Sequence, residues 1–167
     1  LRFATLAHLY AGPEHAHLDA LLTGVASARG AGLMAIQIAR VEALTLEARL
    51  RLALLDQARI PRRELARVHR IVKRLHREDC LYASARAALL EAALASRQDG
   101  PTRVVELLQR AHALAVRAEL GLERAACEDL LASFAHRIPR GDDPLATVID
   151  RARWVAAVAP GFTPHPV

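Results

Sequence analysis

The sequence predicts an all-α fold of about eight helices, joined in antiparallel hairpins that stack as a degenerate α-solenoid, and three observations predict it. Apolar residues recur every three to four positions in segment after segment, the period of a helix with one buried stripe. Glycine and proline punctuate those segments, and no convincing strand pattern interrupts the series. With 53% apolar and 25% charged residues over 167 positions, the chain has the composition of one folded domain with a real core.

The segments follow in order. Leu1 to Ala11 reads as helix with no capping residue ahead of it, so the chain is expected to be the C-terminal part of a longer one. Gly12-Pro13 separates it from Glu14 to Ala28, and Gly30-Ala31-Gly32 separates that from a long helix, Leu33 to Gln57. Pro61 suits the first turn of the next, Arg62 to Glu78, because its missing N–H has no intrahelical partner there. Leu81 to Arg97 follows, and Asp99-Gly100-Pro101 breaks the chain before Val104 to Glu119. In that segment Val104, Leu107, Leu108, Ala111, Leu114, Ala115 and Ala118 draw one stripe. Gly121 gives a turn into Leu122 to Arg137, and Asp143-Pro144 supplies an N-cap and a first-turn proline for Leu145 to Val158. Pro160, Pro164 and Pro166 forbid more helix, leaving a single helical-repeat domain over 1–159 and an extended Pro-rich tail over 160–167.

Short connections force sequence neighbours to lie antiparallel, and hairpins then stack. Units beginning near Leu33, Leu81 and Leu122 are 48 and 41 residues apart, longer and less regular than the roughly 34 of a strict tetratricopeptide repeat. A compact bundle is the competing arrangement, since Ala-rich helices with only 4% aromatic residues pack closely in either.

Three stretches carry a family likeness: Arg70-Ile71-Val72-Lys73-Arg74-Leu75, then Ala83 to Leu94 (Ala-Ser-Ala-Arg-Ala-Ala-Leu-Leu-Glu-Ala-Ala-Leu), then Val105 to Ala111 (Val-Glu-Leu-Leu-Gln-Arg-Ala). Together they resemble the tetratricopeptide-like helical regions of large bacterial signalling proteins, where such regions follow a Ser/Thr kinase or signalling-ATPase domain. The ending Arg153-Trp154 to Gly161-Phe162 resembles the terminus of those chains. The Trp, Leu-Gly and Tyr that mark the first helix of a strict tetratricopeptide unit are not in place, only Tyr82 lying near such a helix. There is also no Gly-rich loop, His-Arg-Asp or Asp-Phe-Gly. The resemblance therefore implies a TPR-like scaffold, with any catalysis in an upstream domain.

The strongest local signal is a basic helix. Arg59, Arg62, Arg63, Arg67, Arg70, Lys73, Arg74 and Arg77 stand against Glu64 alone, a local balance of +7 in a chain whose net charge is +5. Leu65, Val68, Ile71, Val72 and Leu75 form the buried stripe, which leaves Arg63, Arg67, Arg70, Arg74 and Arg77 along another face. Guanidinium forks hold carboxylates or phosphates bidentately, so these five are the candidate face for an acidic partner, a phosphorylated segment or nucleic acid. The competing reading is a solvated face in an arginine-rich chain. Nucleic acid ranks below protein, because the helix lacks aromatic stacking platforms and no segment offers a recognition helix after a tight turn.

Metal and catalytic readings are weaker still. His15 and His17 lie about 200° apart on a helix, His69 and His76 sit among arginines, and no cysteine cluster completes a zinc site with His8. Cys80 and Cys127 have apolar neighbours and read as small core residues. Asp142 and Asp143 are explained by capping, and Ser27, Ser84, Ser96 and Ser133 lack an elbow motif or local base. No catalytic, cofactor or metal residue is assigned. Trp154 and Phe162 are the candidate C-terminal cap, covering the open apolar face of the last repeat. No apolar run reaches the roughly 18 residues of a membrane span and no signal peptide is seen, so a cytoplasmic location is expected. The expected function is a non-catalytic protein-interaction or scaffold module that binds a protein partner or other domains of its own chain. A nucleic-acid-binding regulatory domain using the basic helix 62–78 is the alternative.

Overall fold

A computed structural model describes residues 15–30, 33–55, 61–98 and 101–134, and among these every regular element is helical. Helix α1 is His15–Gly30, a 3-10 turn follows at Leu33–Ala35, and then come α2 (Gln37–Leu54), α3 (Pro61–His76), α4 (Leu81–Gln98), α5 (Pro101–Arg117) and α6 (Gly121–Phe134). Six α-helices thus stand where the sequence suggests eight, and the two remaining segments, 1–11 and 145–158, lie outside the described residues. So do the tail 160–167, Trp154 and Phe162.

Each helix packs on the next in sequence, and α4 also touches both α2 and α6. Three apolar cores follow from that order. Val25 of α1 meets Leu46, Leu50 and Leu54 of α2, spaced four apart along one face. A second face of α2, with Val41, Leu44, Ala48 and Leu52, packs against Val68, Ile71, Val72 and Leu75 of α3 and against Ala83, Ala87, Leu90 and Leu94 of α4. The far side of α4, through Ala88, Leu89, Ala92 and Ala95, meets Val104, Leu107, Leu108 and Ala111 of α5 and Ala126, Cys127 and Leu130 of α6. Helices α2 and α4 therefore bury nearly all round their axes, whereas α3 and α5 bury one stripe each. Alanine makes this arrangement feasible, since its short side chain lets α4 approach α2, α3, α5 and α6 at close range.

The α3–α4 and α5–α6 hairpins share one construction. Both turns pass through a non-glycine residue in the left-handed region, Asp79 (φ 50°) and Glu119 (φ 55°), 40 positions apart. In each, carbonyls at the end of the first helix are satisfied by turn amides: Arg77 and Glu78 N–H donate to Arg74 and Leu75, and Leu120 N–H donates back to Ala115 over 2.9 Å. The same offset of 40 relates the buried pairs Val68 and Leu108, Ile71 and Ala111, Leu75 and Ala115, Ala87 and Cys127, and Leu90 and Leu130.

Several boundaries differ from the sequence reading. The long segment Leu33 to Gln57 opens as a 3-10 turn and becomes α-helical only at Gln37, where Ile36 is extended and offers no side-chain cap. Arg40, in the first turn, instead ties the helix to the 3-10 turn by donating to the Met34 carbonyl at 2.6 Å. Pro101 begins α5 rather than preceding it, as its ring permits in a first turn. Helix α3 stops at His76 so that Asp79 can reverse the chain. The reversal before α6 belongs to Glu119, and Gly121 is already helical.

Candidate functional site

The basic face lies on α3, and its geometry follows from the helix period. Val68, Ile71, Val72 and Leu75 are buried against α2 and α4, with Leu65 partly so. Arg63, Arg70, Arg74 and Arg77 are exposed, together with Arg62 and Lys73. At 100° per residue the five predicted arginines fall within an arc of about 80°, centred about 130° round the helix from the apolar stripe. Arg77 is one step beyond the last helical residue, yet its N–H still bonds to Arg74, which keeps it in line.

Arg67 differs from the other four. It is half-buried and its Nη1 donates to Glu64 Oε1 at 2.7 Å, while Glu64 Oε2 accepts from Arg51 of α2 at 2.6 Å. Arg51 also holds Glu47 at 2.9–3.0 Å, so a chain of four charges ties α3 to α2 at one flank of the face. Arg63, Arg70, Arg74 and Arg77 form no ion pair with any described residue. Arg70 Nε reaches only the Ala66 carbonyl of its own helix, at a long 3.4 Å. The last turn of α3 holds Lys73, Arg74 and His76, which the negative end of the helix dipole favours.

A second charged cluster, which sequence reasoning missed, sits inside the stack. Arg49 of α2, Arg86 of α4 and Glu123 of α6 are each about 95% buried. Glu123 Oε1 accepts from Arg49 Nη2 at 3.4 Å and from Arg86 Nε at 3.3 Å. Glu42 of α2 stands 2.6 Å from Arg86 Nη1, off the axis of a hydrogen bond. Tyr82 lies under the Arg86 guanidinium, 5.9 Å from ring centroid to its carbon. Burial lowers the Arg49 pKa to about 10, against the pull of Glu123 and with the repulsion of Arg86 adding to the fall. The only local signal was a charged residue inside an alanine run, Arg86 between Ala85 and Ala87. Nothing local to α2 or α4 points to Glu123, 37 residues past Arg86.

A third contact closes the start of α2. Arg40 holds Glu78 through Nε and Nη2, both at 2.6 Å, and Gln37 Nε2 donates to the Glu78 carbonyl. The Arg40 hydrogen bonds hold the Glu78 carboxyl below its usual range. On the opposite hairpin faces, His76 meets Glu91 at 2.8 Å and His112 meets Glu128 at 3.2 Å, one such pair across each of the α3–α4 and α5–α6 hairpins.

The cysteines are placed differently from one another. Cys127 is fully buried between α4, α5 and α6, and burial pushes its thiol up to about 12. Cys80 is half-buried in the α3–α4 turn, and burial, helped by Cys80, raises the pKa of the Tyr82 hydroxyl. Among the described residues no three His, Cys, Asp or Glu side chains converge in a way that could hold a metal ion, and no helix is long and apolar enough to cross a membrane. Compared with protein-family models, curated proteins and solved structures, the chain matches none.

Proposed function

We propose that this chain is a non-catalytic protein-interaction or scaffold module, a degenerate TPR-like solenoid of the kind found in multidomain bacterial signalling proteins of the cytoplasm. It acts by presenting the arginine face of α3 to a protein partner or to another domain of its own chain.

The observation that carries this reading is the uneven supply of counter-charge. Each buried arginine has a carboxylate within reach, Glu123 for Arg49 and both Glu123 and Glu42 for Arg86. Arg63, Arg70, Arg74 and Arg77 have none within ion-pair distance among the described residues, Arg74 acting on Glu78 only at longer range. Like charges at helical spacing of three and four destabilise a helix, so a row of them held outward on a firmly packed support calls for a counter-charge from elsewhere. The shared 40-residue register of the two hairpins and the contacts of α4 with α2 and α6 support a stacked repeat as that support.

A nucleic-acid-binding regulatory domain is the second reading, favoured by the capacity of guanidinium forks to hold phosphates. Binding of the chain to a fluorescent mixed-sequence duplex and single strand, at low and physiological salt, separates the two. The module reading expects no binding that survives physiological salt. Tight binding that an Arg67→Glu, Arg70→Glu, Arg74→Glu triple variant loses would establish the nucleic-acid reading instead.

A further inference from the structure

The 40-residue register that relates the α3–α4 and α5–α6 hairpins continues in the sequence past α6. One more step of 40 carries the buried pair Val68 and Leu108 to Val148, and the buried pair Leu75 and Ala115 to Val155. Leu65 and Val105, both partly buried, lead to Leu145. Exposed positions lead to charged ones: Arg63 and Arg103 to Asp143, Arg70 and Arg110 to Asp150, and Lys73 and Ala113 to Arg153. Gly121 and Leu122, which open α6, lead to Gly161 and Phe162.

Two positions break the pattern. His69 and Gln109 are exposed, and the third member is Ile149. Ile71 and Ala111 are buried, and the third member is Arg151. The second break has a counterpart on α6. Ala111 packs in the core to which α4 contributes Ala88 and Leu89, and 40 residues on from these two, α6 carries Glu128 and Asp129. Both carboxylates are half-buried, where the alanine and leucine are 0% and 3% exposed. Glu128 also meets His112 of α5 at 3.2 Å. An apolar contact between α5 and α4 is thus exchanged, at the same place in the register, for an arginine and two acids. A guanidinium can meet such carboxylates with directed, charge-assisted hydrogen bonds.

We infer that residues 145–158 of this chain form the first helix of a third unit, docked on α6 as α5 docks on α4, with Arg151 against Glu128 and Asp129. The outer side of α6 is then covered from within the chain, as stacking of repeats requires, and a partner must use another surface. The inference goes beyond the arginine-face reading and is independent of it, since it concerns α6 and not α3.

The sole tryptophan supplies the test. Trp154 stands in the place of Leu114, which is partly buried against the core shared by α4, α5 and α6, so its fluorescence reports docking. In urea unfolding of the whole chain, tryptophan emission and circular dichroism are expected to change together, with the native emission to the blue of the unfolded one. Val148→Asp should shift the native emission to the red. Ile149→Asp should leave it in place, although the two residues are adjacent and both apolar. Arg151→Glu should move the fluorescence midpoint to lower urea, and Asp129→Arg added to it should bring the midpoint back, which keeps the docking testable if Val148→Asp fails to fold. A native emission already at its unfolded position would overturn the docking. Equal losses from Val148→Asp and Ile149→Asp would overturn the register, and an Arg151→Glu loss that Asp129→Arg does not rescue would overturn the pairing with α6. The duplex experiment on the α3 face is decided separately from all three.

Discussion

Arg86 and Arg74 belong to neighbouring helices and carry the same group, yet they live in opposite settings. Arg86 is 4% exposed, stacked on Tyr82 and flanked by Glu123 and Glu42. Arg74 is exposed and meets no described carboxylate within ion-pair distance. Taking a guanidinium out of water costs several kcal/mol, so an interior arginine persists only with its partners in place. An exposed one costs little and is free to engage something outside. The difference shows how this chain divides its charge: carboxylates of α2 and α6 hold the stack together from within, while the arginines of α3 are left facing outward.

The largest break in that comparison comes from Glu123→Ala, which takes the only ion-paired carboxylate described for buried Arg49 and leaves Arg86 with Glu42 alone. It should lower the unfolding free energy by about 3–5 kcal/mol, read from the urea midpoint. A change within error would mean that the cluster is not a joint between α2, α4 and α6.

Raising the pH probes the interior next. Folded Cys127 keeps its proton to about pH 12, whereas an unfolded cysteine loses it near 9, so the unfolded chain binds fewer protons in that window. Stability is therefore fully present below about pH 9 and falls as pH rises toward 12, by about 2–4 kcal/mol from this thiol. The raised Tyr82 hydroxyl acts in the same sense. Arg49 acts in the opposite one above about pH 10, since the folded chain gives up that proton first. Cys127→Ala should flatten the decline and Arg49→Met should steepen it, both measured as denaturation midpoints across the alkaline range.

Glu64 stands between the two regimes, half-buried and shared by Arg51 and Arg67. Glu64→Ala is expected to cost about 1–2 kcal/mol in the same assay, less than the interior glutamate and more than any surface residue. At the small end, Arg63→Ala and Arg70→Ala should shift stability by no more than about 0.5 kcal/mol, because neither side chain has a described charge partner to lose. A clear shift in either would show that the face is already engaged by its own chain.

Much of the fold is readable from local period. In α5 the stripe Val104, Leu107, Leu108, Ala111 and Ala115 is buried as its spacing implies, with Leu114 and Ala118 at the edge. In α3 the split between Val68, Ile71, Val72 and Leu75 inside and the arginines outside is equally legible. Helices α2 and α4 are less so, because a helix covered on several sides has no single stripe to read: Leu46 and Leu50 face α1 while Leu44 and Ala48 face α3 and α4. Turn chemistry misled at Gly121, whose conformational freedom suggests the reversal that Glu119 makes.

What the sequence by itself determined is the helical character of the chain, its breaks and the one-sided charge of α3, all of which depend on residues within a turn or two of each other. Only the tertiary structure decided that Arg49, Arg86 and Glu123 meet, because Glu123 lies 74 residues from Arg49 and 37 from Arg86 and the three come together only when α4 packs against α2 and α6. It also decided which charges are spent inside the stack and which remain outside it. A guanidinium reads the same in any helical sequence, and the cost of removing it from water appears only when neighbouring helices close over it.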